Sequence, residues 1–269
     1  MKLKSYIVDT TLRDGEQSAG IAFNKEEKIR LALQMDAAGI YQIEAGIPAL
    51  GASEQEAIKE IMSKKEQAII SAWSTLDEES ILAAIECKPD IVHISVPVSY
   101  AYIYSKLGKN KQWLKGRMID CVTYAKKQNQ EVTIGFEDAS RADISFVVSL
   151  CMTLEGLGIK RIRYADTVGV MTPHSVKDVV NNIRSYTNLE IEIHAHNDFG
   201  MAVANSLEAA KSGAKFIDCT FMGIGERAGN CDFLKFVKAS EEILDLGLDK
   251  KAIIGVKESI LQTIKGHGK

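Results

Sequence analysis

Two histidines two positions apart, His194 and His196, sit in the run Ile191-Glu192-Ile193-His194-Ala195-His196-Asn197-Asp198-Phe199-Gly200. On an extended strand residues i and i+2 face the same way, so both imidazoles point to one side. Two imidazoles converging at a strand end make half of a divalent-metal site. A further ligand is on offer in the dense polar cluster Asp9-Thr10-Thr11-Leu12-Arg13-Asp14-Gly15-Glu16-Gln17, which follows the first apolar run. Gly15 permits a tight backbone there, which can aim Arg13 and Asp14 into the mouth of a cavity. Asp14, His194 and His196 together supply one carboxylate oxygen and two imidazole nitrogens and leave positions open for substrate and water. The same donor set also suits non-haem iron oxygenases, so ligand type alone leaves the reaction open.

Other strand ends carry chemistry of their own. Glu44, inside the apolar run before Ala45-Gly46-Ile47-Pro48, is costly to bury unless it meets a cation, either Arg13 or the metal. In Glu137-Asp138-Ala139-Ser140-Arg141, capping of the following helix is the expected role of Asp138 or Ser140. In Arg161-Ile162-Arg163-Tyr164-Ala165-Asp166-Thr167, positions 163, 165 and 167 share a face, so if Thr167 faces the mouth Arg163 points the same way from deeper in. The loop Gly223-Ile224-Gly225-Glu226-Arg227-Ala228-Gly229-Asn230 can cradle phosphate on its backbone N–H groups, or Asn230 can complete a metal shell.

The elements that must position these residues follow one rhythm. Strands are expected at 5–8, 42–45, 68–72, 91–96, 131–136, 161–165, 190–194 and 215–220. Helices are expected at 25–38, 53–64, 77–86, 111–129, 141–157, 174–186, 200–212 and 232–246. Asn24 can cap the first helix, and Gly39, Gly158 and Gly213 can close helices. Eight βα units with no linker between them predict a (β/α)8 TIM barrel of α/β class over residues 1–246, with a C-terminal helix (250–264) and polar tail over 247–269. A doubly wound sheet fits less well, because no G-x-G-x-x-G follows the first strand.

At 269 residues, 46% hydrophobic and with a formal charge of −3, the chain can build a large core and lacks the footprint of a nucleic-acid or anionic-membrane binder. A small-molecule substrate is the default expectation. Five cysteines without a C-x-x-C pair read as reduced thiols, and with no expected membrane span or signal-type leader the expected location is cytoplasmic.

Two of these motifs resemble a known family. Leu12-Arg13-Asp14-Gly15-x-Gln17, with Lys28 after ten residues, and Ile191-x-x-His194-x-His196-Asn197-Asp198-x-Gly200 are similar to the signatures of the α-isopropylmalate synthase and homocitrate synthase family. The resemblance spans about residues 5–246 and is greatest to homocitrate synthases of nitrogen fixation, judged on Asp9 to Leu12, Ser18-Ala19-Gly20, Phe23-Asn24 and Tyr164 to Met171. It implies a Claisen-type condensation of acetyl-CoA with a 2-oxo acid, then thioester hydrolysis. It further implies that Asp14, His194 and His196 bind a divalent cation (Mg, Mn or Zn) with Asn230 near it, and that Arg13 stabilises the developing alkoxide. Gln17, Glu44, Glu137 and Thr167 would position substrate and ligands.

Lysine-pathway members hold the distal carboxylate of 2-oxoglutarate with a strand-five arginine and a strand-three histidine, where this chain has Thr133 and Ala72. Arg163 is therefore expected to bind that carboxylate, the alternative being an ion pair with Glu44 or Glu137. His93 is a second substrate-binding candidate; histidine there is typical of isopropylmalate and citramalate synthases, which keeps those activities, and that of a Re-type citrate synthase, as alternatives. Complete family members continue into subdomains with a His/Tyr segment that helps deprotonate acetyl-CoA, and nothing after Asn230 resembles it. The expectation is one subunit of a split enzyme, in a homo-oligomer or in a hetero-oligomer with a separately encoded C-terminal subunit. A retro-aldol lyase, whose catalytic cysteine motif Cys231 does not match, and an inactive partner subunit are the remaining readings.

Overall fold

The computed structural model describes residues 2–266. Eight parallel strands close into a barrel in sequence order: β1 (Tyr6–Asp9), β2 (Gln42–Gly46), β3 (Ile69–Ser74), β4 (Ile91–Pro97), β5 (Val132–Glu137), β6 (Arg161–Asp166), β7 (Glu190–Ala195) and β8 (Phe216–Cys219). Closure comes from β1 against β8, with Tyr6 opposite Phe216 and Asp9 opposite Cys219. Helices α1 (Lys25–Ala37), α2 (Ala52–Lys64), α3 (Glu78–Ile85), α4 (Lys111–Lys127), α5 (Ile144–Gly156), α6 (Pro173–Tyr186), α7 (Ala202–Ser212) and α8 (Phe233–Ser240) return the chain between strands, and α9 (Lys250–Gly266) follows. This is the expected eightfold βα barrel.

Period-two alternation explains how the barrel divides its side chains. Along β7, Ile191, Ile193 and Ala195 join the apolar layer under the helices, while Glu192, His194 and then His196 meet polar partners. Arg161 and Arg163 on β6 reach across to Gln42 and Glu44 on β2. The closed end is sealed by Tyr6, Tyr41 and Phe216, with the Arg161 guanidinium 4.2 Å above the Phe216 ring.

Helix starts are set locally. Asn24 and Glu27 form a capping box on α1, and Gly158 and Gly213 take positive φ after α5 and α7. Three departures from expectation exceed two residues. Helix α5 begins at Ile144 because Asp143 caps it; Asp138 instead accepts hydrogen bonds from Arg141 and Ser99, and neither it nor Ser140 caps. Helix α8 stops at Ser240, where 246 was expected, because Leu244–Asp245 leaves the helix to pair with Leu3–Lys4. The N–H groups of Leu3 and Ser5 donate to Ile243 and Asp245, satisfying backbone that would otherwise lack partners. Finally, β4 is followed by a π-helical segment, Ala101–Lys106, which no periodicity announced. Helix α9 lays Ile253, Val256 and Ile260 into the common core, and Arg30 on α1 donates to Ser259 and Thr263 at 2.5 and 2.7 Å.

Candidate metal centre

The polar loop after β1 is folded by its own backbone. The N–H groups of Arg13, Asp14 and Gly15 all converge on the Thr10 carbonyl, and the Thr11 hydroxyl accepts from Phe221 N–H at 2.9 Å, pinning the loop to the exit of β8. Below it Lys28 is buried between Glu16 and Glu54, at 2.7 and 2.6 Å, which ties the loop to α1 and α2. The lysine of the first motif is thus a structural brace.

Asp14, His194 and His196 come together, with one ligating atom from each lying within 4.8 Å of the others. The two Nε2 atoms are 3.2 Å apart, and Asp14 Oδ2 is 3.3 Å from His194 Nε2. His194 is oriented from behind by Asp218 on β8, whose Oδ2 lies 3.0 Å from Nδ1, the arrangement that fixes a ligating imidazole's tautomer. Asn230 forms an antiparallel bridge with His196, and its buried Oδ1 has no hydrogen-bond partner among the described residues. An orphaned buried acceptor beside two converging imidazoles fits a cation.

Arg13 donates to Glu44 Oε1 at 2.6 Å and to Asp14 Oδ1 at 3.0 Å; Arg163 pairs with Glu44, Glu192 and Asp218; Arg161 lies 3.4 Å from Glu192. In this buried network the carboxylates Asp14, Glu44 and Glu192 face the guanidiniums of Arg13, Arg161 and Arg163, while Asp218, whose pKa burial raises, lies between Arg163 and His194. Although burial opposes ionisation, Arg13 holds Asp14 well below the usual carboxylate range, and Arg13 with Arg163 does the same for Glu44. Burial lowers the His194 pKa, yet Asp14 and Asp218 outweigh it and raise it to about 9, whereas burial and the His194 charge lower His196 to about 3.

Above the triad opens a cavity of about 540 Å³. Arg13, Gln17, His93, Glu137, Arg163 and Thr167 all reach its wall, so the structure brings every expected site residue except Asn230 and Glu44 to that lining. Thr167 accepts from Asp138 N–H at 2.8 Å. His93 lies 2.9 Å from the Thr133 hydroxyl, and burial lowers its pKa to about 3, so the ring is neutral. Gly135 makes room for it, since a Cβ there would stand 2.3 Å from Nε2.

Two expectations need correction. The Arg163 guanidinium is consumed by Glu44 at 2.7 Å, Glu192 at 2.5 Å and Asp218 at 2.9 Å, so it has the ion-pair role rather than that of a free cation for substrate. The loop 223–230 offers at most part of a phosphate cradle: the N–H groups of Gly223, Ile224, Gly229 and Asn230 are spent on the carbonyls of Thr220, Phe221, Glu226 and Gly223, and the turn packs so closely that a Cβ on Gly229 would meet the Gly223 carbonyl at 1.9 Å. Sequence reasoning also passed over Asp218 and Glu192. Both carried the signal already read at Glu44, a carboxylate within an apolar strand.

The model of the HMGL-like family matches residues 4–260. The chain is 50% identical over 237 residues to the homocitrate synthase subunit alpha of Clostridium pasteurianum, covering 88% of each chain. It is 41% identical over 257 residues to 2-isopropylmalate synthase 2 of Caldanaerobacter subterraneus, covering 95% of this chain and 67% of that one. The barrel is similar to the crystal structure of hydroxymethylglutaryl-CoA lyase from Pseudomonas aeruginosa, with a TM-score of 0.85, 20% identity and coverage of 98% and 95%, a likeness of fold. With both motifs at the mouth of the barrel they were expected to serve, the chain belongs to the HMGL-like family, among its α-isopropylmalate and homocitrate synthases.

Proposed function

We propose that the chain is an acyltransferase of homocitrate synthase type, condensing acetyl-CoA with a 2-oxo acid, 2-oxoglutarate in the first instance, as one subunit of a split enzyme. The carrying observation is the Asp14–His194–His196 cluster beside Arg13 at one cavity, in a chain half identical to a homocitrate synthase subunit alpha. Held by those three side chains, with Asn230 beside His196, a divalent cation would supply Lewis acidity toward the keto group.

The remaining work falls to the chain itself. Glu44 and Asp14 fix Arg13 from two sides, and its Nη2 makes no protein hydrogen bond among the described residues, so it can meet the negative charge that grows on the keto oxygen. Glu137 and Thr167 line the wall where a substrate carboxylate and the acetyl group must be oriented, and Gln17 stands exposed at the rim. In the reaction the acetyl methyl group loses a proton to a base, its carbon bonds to the keto carbon, the keto oxygen gains a proton, and water cleaves the C–S bond to release the CoA thiol. We assign the base to a separately encoded partner, in keeping with the subunit character of the clostridial relative. The lyase reading is disfavoured by Cys231, which is fully buried with its Sγ 3.8 Å from Cys219 Sγ and does not reach the cavity.

A thiol-release assay tests this. With a divalent cation and the partner subunit, CoA release is expected to be fastest with 2-oxoglutarate among 2-oxoglutarate, 2-oxoisovalerate, pyruvate and oxaloacetate, and slow for the chain alone. No release with any 2-oxo acid in the presence of the partner would sink the reading.

A further inference from the structure

The stretch 91–119 contains no aspartate or glutamate, yet carries Lys106, Lys109, Lys111, Lys115 and Arg117 in a chain of net charge −3. Four aromatic residues, Tyr100, Tyr102, Tyr104 and Trp113, are interleaved with these cations. The π-helical segment and the start of α4 bring Tyr102, Lys106 and Trp113 to the cavity wall, with Tyr100, Tyr104, Lys109 and Lys111 flanking them in sequence. Tyr100 and Tyr104 stack at 5.3 Å with 53% and 46% of their surface exposed, and Trp113 is 41% exposed. Lys111 stands 4.6 Å over the Tyr100 ring and Lys109 5.3 Å over Trp113. Lys106 donates to the Tyr102 hydroxyl at 2.8 Å. Lys111 is paired with Asp143, whereas among the described residues neither Lys106 nor Lys109 has a carboxylate within 4.0 Å, Glu137 acting on Lys106 from farther off. Exposed aromatic faces beside unneutralised ammonium groups are the composition that stacks a base and holds phosphates.

The shelf is continuous with the reaction cavity, because Tyr102, Lys106, Leu107 and Trp113 line the same 540 Å³ space as Asp14 and His194. A ligand spanning both ends must be long, with an anionic, aromatic-bearing head and a stem that reaches the triad. We propose that residues 100–113 form the docking site for the phosphorylated nucleotide of the acyl-CoA co-substrate, with Lys106 and Lys109 taking phosphate charge and Trp113 or the Tyr100–Tyr104 pair stacking on the adenine. This rests on the acyltransferase reading above. An acidic protein segment would match the charge, but would leave unexplained why the aromatic shelf runs into the reaction cavity.

The chain's two tryptophans, Trp73 and Trp113, both line the cavity, so intrinsic fluorescence reports on it. CoA, 3′-dephospho-CoA and pantetheine are titrated into the full chain and into Lys106→Ala/Lys109→Ala, whose substituted side chains are exposed; circular dichroism checks the fold. CoA binding is expected to weaken roughly tenfold or more in the double variant and with rising salt, and dephospho-CoA to bind the parent more weakly than CoA, while pantetheine is indifferent to the substitutions. CoA binding that is absent from the parent, or unchanged in the double variant, overturns the proposal, as does a variant that keeps CoA but loses affinity for the partner subunit. Cation-dependent 2-oxoglutarate binding to the parent chain is measured alongside: its loss would count against the acyltransferase reading, whereas its presence with CoA binding indifferent to the lysines would sink the shelf alone.

Discussion

The guanidinium of Arg163 lies among Glu44, Glu192 and Asp218, so its removal would leave three buried carboxylates in one another's field. Arg163→Met is expected to cost on the order of 3–5 kcal/mol of stability, read from the denaturation midpoint. Because Glu44 orients Arg13 and Asp218 orients His194, kcat/KM should fall by a similar factor for 2-oxoglutarate and 2-oxoisovalerate; a KM rise confined to 2-oxoglutarate would restore Arg163 as a substrate residue. At the proposed centre Asp218 would act on a bound cation through His194. Asp218→Ala should lower affinity for Mn²⁺ or Zn²⁺ by roughly 10–100-fold in a calorimetric titration, and unchanged affinity would mean that the carboxylate does not position the imidazole. The cation must also displace the proton that Asp14 and Asp218 hold on His194, so affinity should climb with pH toward about 9.

Between elements, the contact of β4 with β5 is decided by a missing side chain. His93 fills the place where a Cβ on Gly135 would stand 2.3 Å from its Nε2, a ring too hemmed in to yield freely. Gly135→Ala is expected to destabilise by about 1–3 kcal/mol, with His93→Ala in the same chain recovering much of that loss; a double variant no better than the single would mean that the clash is not the cause. The elements that were readable from sequence are those whose alternation carries charge. His194-x-His196, Glu44 and Arg163 each stand out in apolar strands, so both the barrel and the convergence of Asp14, His194 and His196 could be anticipated. Of the groups around Arg163, Glu44 was named from the sequence as an alternative partner, whereas Glu192 and Asp218 were not, because they lie on other strands and only closure of the barrel brings them near. The π-helical segment stayed hidden because Tyr100-Ala101-Tyr102-Ile103-Tyr104 alternates like a strand, although cavity and solvent divide its side chains with a helical turn. Likewise, the end of α8 depended on a strand partner more than 200 residues away in sequence, Leu3–Lys4.

For the molecule as a whole, the buried titratable groups set a pH profile in which opposing terms hide one another. Asp14 and Glu44 are depressed, so the stability they confer is present above about pH 4 and lost on acidification. His93 and His196, lowered from 6.5 to about 3, make stability rise with pH between those values. Asp9, raised by burial from 3.8 to about 7, does the reverse over nearly the same interval, because the folded state keeps a proton that the unfolded chain has released. Asp218 is likewise raised by burial, and the two pairs roughly offset from pH 4 to 6.5. Above 6.5 the raised His194 is left uncompensated, and its contribution disappears as pH passes about 9. A plateau followed by an alkaline decline is therefore expected in Tm, with added divalent cation lifting the alkaline limb by binding the deprotonated imidazole. The Asp9 contribution appears only as a difference. Asp9 accepts from the Thr11 N–H at 3.0 Å and the Thr11 hydroxyl at 3.1 Å, and an asparagine oxygen can take over the first of these without ionising. Asp9→Asn should match the parent near pH 4 and gain on it up to pH 8, by an amount approaching roughly 4 kcal/mol for a shift of about three pH units. Chemical denaturation of both proteins at pH 4.5, 6 and 8 measures that gap, and a gap that does not widen with pH would show that Asp9 ionises in the folded protein as readily as in the unfolded chain.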